Sequence, residues 1–201
     1  MEKSDFTSAL RGFARSAIEK HGCSATNIIG RGRPENAFLE LRGAYEGKCA
    51  VRTAKNGWFA FPWMTTDWGT LPESDYVLVP YADHDDPARG TKVYFFQADK
   101  LKPAFDAARA ARIAAGKKVS DKTGMWVALH SVPGYLPTDT GFERLADWVE
   151  EFAPHTKGGA KAPPKAALDA TPNRLSIAQA KQALAAYYDV SPEAVEITIR
   201  G

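Results

Sequence analysis

The tripeptide Lys55-Asn56-Gly57 constrains this chain most, because it separates two runs that both read as strands, GKCAVRTA (47–54) and WFAFPWM (58–64). Asn and Gly both tolerate positive φ, so the pair predicts a tight hairpin turn. Three further runs extend the β-rich stretch: AFLELRG (37–43), which alternates in part, then DYVLVPYAD (75–83) and KVYFFQA (92–98), which are nearly all apolar. Strands with so little polar alternation are expected to be buried on both faces, near the middle of a mostly antiparallel sheet. The acidic loop Asp83–Gly90 joins the last two.

Helical periodicity brackets this stretch. Phe6, Ala9, Leu10, Phe13, Ala14, Ala17 and Ile18 fall at three- and four-residue spacings and predict a helix over 5–20. Ser4 or Asp5 suits its start and Gly22 its stop. Residues 103–115 are Ala-rich, with Pro103 placed for a first turn and Gly116 for a C-terminal stop. Arg109, Arg112, Lys117 and Lys118 make the far end of that helix basic. MWVALHSV (125–132) reads as extended, and Phe142, Leu145, Ala146, Val149 and Phe152 predict an amphipathic helix over 141–152. The expected fold is therefore α/β of the α+β kind: a mixed, mostly antiparallel central sheet flanked by helices.

Composition shifts after Ala153. Residues 154–174 are rich in Pro, Gly and Lys and read as a flexible linker between a 1–153 core and a C-terminal unit, 175–201. In that unit Ser176 and Gln179 form a capping box ahead of a helix, and AVEITIR (194–200) alternates as a strand. Too short to bury a core alone, it is expected to pack on the main domain, a second copy or a protein partner.

Cys23 and Cys49 are the only cysteines, which gives no CxxC zinc pattern, and no apolar run approaches the length of a membrane span. The opening MEKSDFTSALRGF lacks the apolar stretch of an export signal, so a cytoplasmic location with no membrane partner is expected. Charge comes in blocks. Residues 1–66 carry ten Lys/Arg against six Asp/Glu, and 91–122 carry eight against three. Between and after them, 67–90 and 123–153 are acidic, so folding can assemble a basic face.

The order of helix, strands, hairpin, strand and helix resembles the PD-(D/E)XK nuclease superfamily. AFLELRGAYEGKCAVRTAKNGW, then DYVLVPYAD, then KVYFFQADKLK carry the resemblance, over roughly residues 5–115. That family's chemistry needs acids to hold Mg²⁺ and a Lys near the attacking water. In the register that fits best, Ala50-Val51-Arg52 stands in place of the acid-x-Lys triplet, with Glu35 as a displaced acid, and catalysis is lost. A second register uses Glu46-Gly47-Lys48 with Glu40 as partner acid, and Glu19 or Glu35 as accessories. It implies an active nuclease that takes Mg²⁺ or Mn²⁺; otherwise no metal or other cofactor is expected.

The leading expectation is a nucleic-acid-binding or regulatory protein on a catalytically degenerate nuclease-like core, in the mobile-element or defence setting that the resemblance implies. DNA or RNA phosphates would meet Arg31, Arg33, Arg42, Arg52 and Lys55, near Tyr45, Trp58 and Trp63, together with the basic helix end. The alternatives are the active nuclease and a protein-interaction module that works through 175–201. The acidic run Asp83-His84-Asp85-Asp86 lacks an EF-hand spacing, His130 and Ser131 have Asp139 within reach in sequence, and no phosphate-loop or dinucleotide fingerprint exists.

Overall fold

A computed structural model describes residues 3–30 and 34–153. Arg31 and Arg33, the expected linker 154–174 and the expected unit 175–201 lie outside them. The described residues build two helices and ten strands, an α+β fold. In chain order these are α1 (Lys3–Lys20), β1 (Cys23–Asn27), β2 (Phe38–Gly43), β3 (Gly47–Val51), β4 (Ala54–Lys55), β5 (Trp58–Met64), β6 (Asp67–Trp68), β7 (Tyr76–Ala82), β8 (Thr91–Gln97), α2 (Ala98–Ala114), β9 (Gly124–Ala128) and β10 (Trp148–Phe152).

Strands β1, β2 and β3 form an antiparallel meander, and β3 then runs parallel to β7. β7 pairs antiparallel with β8, which carries β10 on its other edge. The short β4 continues along β7, also parallel, and turns into β5, whose far edge takes β9. The sheet is thus mixed but mostly antiparallel.

The apolar strands β7 and β8 are buried on both faces. Val77, Val79, Tyr94 and Phe96 point into one core with Phe59, Phe61, Phe105 and Val127, under α2. Leu78, Val93 and Phe95 point the other way, against Ala14, Ala17 and Ile18 of α1. The predicted turn forms at Asn56 and Gly57, with φ of 56° and 79°, and joins Lys55 to its partner Trp58. A Cβ added at Gly57 would lie 3.5 Å from the His130 ring, an ordinary contact. The cost of Gly57→Ala is therefore that of left-handed backbone, and urea titration should show a loss of about 1–2 kcal/mol.

Five elements differ from the sequence reading. The expected strand 47–54 breaks at Val51, so β3 pairs with β7 and only Lys55 meets β5 across the turn. The short β6 was not foreseen, and three others differ as follows. β1 was not foreseen, because CSATN is half polar; it alternates Cys23 and Ala25 inward with Ser24 and Thr26 outward. α2 begins at Ala98, five residues before Pro103, which therefore lies inside the helix. Ala98, Leu101, Phe105 and Ala108 are all buried along one stripe, and that packing offsets the backbone bond Pro103 cannot make. Residues 141–152 are not a helix. Phe142–Leu145 makes one 3-10 turn, and Trp148–Phe152 becomes β10.

The competing force is visible in β10's surroundings. Without it, β8 would present an open edge. Trp148 stacks on Phe95 at 4.7 Å and on His21 at 3.8 Å, and its indole N–H donates to the Tyr45 hydroxyl at 3.1 Å. Asp147 holds the entry to the strand by accepting from the Gln97 backbone N–H and from Lys100. Strand pairing and aromatic stacking together override the helical spacing.

Candidate nucleic-acid interface

The pairing of β5 with β9 sets Trp58 opposite Ala128 and Ala60 opposite Trp126. Because side chains alternate along a strand, Phe59, Phe61, Met125 and Val127 fill the core while Trp58 and Trp126 stand on the opposite face. Trp126 is 53% exposed. Tyr135, in the turn after β9, is 52% exposed, and its ring lies 4.8 Å from that of Trp58, tilted by 56°.

The facing wall comes from the end of α2. Gly116, at φ 71°, ends the helical path and turns Lys117 and Lys118 outward, both exposed. Arg112, one turn earlier, ties the two walls together. Its Nε donates to both carboxylate oxygens of Asp139, at 2.9 and 3.0 Å, and its Nη2 donates to the Trp126 carbonyl. The Asp139 side chain is only 2% exposed and that of Arg112 19%, so the pair works largely away from water. Trp58, Trp126, Tyr135, Arg112, Lys117 and Lys118 thus line a cleft of about 370 Å³, with Asp139 at its base.

The other expected contacts are dispersed. Arg42 is exposed on β2. Arg52 is half-buried, with its guanidinium 4.6 Å from the Phe61 ring centre and donating to the Thr70 hydroxyl. Lys55 is exposed and pairs with Asp85 at 2.8 Å, which holds that carboxyl below its usual range. Arg109 covers the Trp63 ring at 3.9 Å, and Trp63 in turn packs edge-on to Trp68. Of the three aromatics that sequence places among basic residues, Trp58 lines the cleft, whereas Tyr45 and Trp63 pack against neighbouring rings. Sequence reading missed Trp126 and Tyr135. The available signal was the outward position of Trp126 between the inward Met125 and Val127.

For the nuclease registers, Ala50 is fully buried in the core, and the Val51 backbone N–H donates to the Ala37 carbonyl at 3.0 Å. In the second register Glu40 and Lys48 are directly opposed across β2 and β3, while Glu46 sits exposed ahead of β3. Glu19 pairs with Arg15 at 2.9 Å, and Glu35 is exposed. Among the described residues no group of three or more His, Cys, Asp or Glu comes together to hold a metal ion. In the acidic loop, Asp86 accepts from the Ala88 N–H to cap a short turn. His130 bonds to Glu143 at 2.7 Å, so Asp139 serves Arg112 and not a His–Ser pair.

No helix among the described residues is long and apolar enough to cross a membrane. No protein-family model matches the chain, and no curated protein or solved structure matches it either.

Proposed function

We propose that this protein binds single-stranded nucleic acid in the cleft between β9 and the end of α2. The observation that carries the reading is the meeting of two half-exposed aromatic rings, Trp126 and Tyr135, with the cationic side chains of Arg112, Lys117 and Lys118. Large aromatic surfaces left in water mark an interaction site when they cluster. Bases stack on such rings irrespective of sequence, and the neighbouring cations meet the phosphates. A duplex keeps its base faces covered by stacking, so an unpaired strand fits this chemistry better.

The nuclease-like core remains part of the proposal. An element order from α1 to α2 that runs through strands and the Asn56-Gly57 turn to a second helix supports the resemblance, which rests on helix, strands, hairpin, strand and helix. Ala50 and Arg52 at the register positions support a core that binds without cutting.

The test is fluorescence anisotropy with labelled single-stranded DNA, single-stranded RNA and duplex DNA, at about 50 mM and about 200 mM salt. Single strands should bind more tightly than duplex, and affinity should fall with salt. Lys117→Ala with Lys118→Ala should flatten the log–log salt slope by roughly 1.4, about 0.7 for each lost phosphate contact. Equal affinity for duplex, or binding that ignores salt, would overturn the reading. Strand cleavage in Mg²⁺ or Mn²⁺ that Glu46→Ala abolishes would assign the active nuclease instead, with Glu40 and Lys48 in the site.

A further inference from the structure

The aromatic cleft continues past Lys118 into a smaller recess of about 110 Å³, and the two share Arg112 and Lys118 as a common wall. Their linings differ in kind. The larger recess is lined by rings, whereas Ser120 and Thr123 line the smaller beside the two cations, together with Val119, Gly124 and Met125.

These polar groups are largely uncommitted. Among the described residues the Ser120 hydroxyl has no hydrogen-bond partner, and that of Thr123 has only a long contact, 3.4 Å, to the Asp121 carbonyl. Arg112 uses Nε and Nη2 within the protein, which leaves the two protons of Nη1. Lys118 has no ion-pair partner among the described residues.

The loop that forms this wall is also held in place. The Lys122 N–H donates to the Trp63 carbonyl at 2.7 Å, and the Asp121 carboxylate accepts from both the backbone and the hydroxyl of Thr65. A small, polar, cationic recess with fixed walls suits a tetrahedral oxyanion, and its distance from the rings is one shared wall.

We propose that the smaller recess is a phosphate subsite, and that the two recesses together take one nucleotide: the terminal nucleotide of a strand, carrying a phosphate monoester. The base lies against Trp126 and Tyr135, and the phosphate meets Lys118, the free Nη1 of Arg112 and the two hydroxyls. This rests on the reading that the aromatic cleft takes bases.

Size and charge both favour an end over a passing strand. A volume of about 370 Å³ is at the low end of the ~300–1,000 Å³ typical of small-ligand sites. Domains that grip a running strand cover about 4–16 nucleotides. A phosphate monoester carries about −1.5 to −2 charge at neutral pH, more than a diester, and so matches a site where cations converge.

The experiment compares otherwise identical short single strands with and without a 5′- or 3′-terminal phosphate, together with 5′-AMP and adenosine, by anisotropy competition and Trp fluorescence. Terminal phosphate at one end should tighten strand binding about tenfold or more, and 5′-AMP should bind about tenfold more tightly than adenosine. Ser120→Ala with Thr123→Val should cut both ratios about threefold or more, the two cations keeping the remainder, while leaving adenosine and the unphosphorylated strand unchanged. If strands bind in a Trp126-dependent way but terminal phosphate makes no difference, the subsite is overturned and the base cleft stands. If neither strands nor 5′-AMP bind, both fall together.

Discussion

Replacing Trp126 and Tyr135 together with Ala should cost single-stranded nucleic-acid binding ~2 kcal/mol or more, about thirtyfold in Kd. Stacking of one base on one aromatic ring is worth about 1–3 kcal/mol by alanine substitution, and both rings are open to a ligand. The fold should tolerate the change. Neither residue belongs to the buried core, but Tyr135 packs on Trp58, so unfolding free energy should fall by only about 1–2 kcal/mol. Trp58 is a poorer choice for the test, because it is half-buried against Tyr135 and its removal would disturb the cleft wall. The paired Phe substitutions should retain most of the affinity, since they keep a π face and lose only polar handles. Anisotropy titrations alongside urea denaturation separate the two effects. An unchanged Kd in the double Ala variant would remove the cleft as the binding site.

Local patterns in the chain foretold most of the scaffold, and the failures share a physical cause. The Asn56-Gly57 turn, the helix through Phe6 to Ile18 and the doubly buried β7 and β8 depend on spacing within a few residues. The misread stretches are those where distant pairing decides. Trp148–Phe152 has helical spacing, yet it becomes a strand because β8 offers an edge and Phe95 offers a stacking partner. CSATN has little apolar content, yet all five of its residues pair with Leu39–Gly43 of β2. The cleft was partly legible. Arg112, Lys117 and Lys118 stood out as a basic helix end, but the partner rings are distant in sequence and meet them only through the β5–β9 pairing. The more obvious cluster of cations, Arg42, Arg52 and Lys55, is spread over β2, β3–β4 and the hairpin, with Arg52 and Lys55 engaged by Thr70 and Asp85.

Asp139→Ala should separate stability from binding, and in opposite directions. Asp139 is almost wholly buried and both of its carboxylate oxygens accept from Arg112. Breaking a buried ion pair typically costs ~3–5 kcal/mol, because the remaining charge stays desolvated and unpaired. Arg112 keeps some contact with water, which lowers the expected loss to about 2–3 kcal/mol. Asp139→Asn, which retains one acceptor oxygen, should lose less. The same substitution frees a guanidinium at the rim of a cleft already lined by Lys117 and Lys118. Its charge is then no longer balanced by the carboxylate, so the salt slope for single-stranded binding should steepen by about 0.7 and low-salt affinity should rise. Urea titration and a salt series on one preparation test both limbs. A less stable protein with an unchanged salt slope would make Arg112 a strut between α2 and β9 alone, with the phosphates left to Lys117 and Lys118.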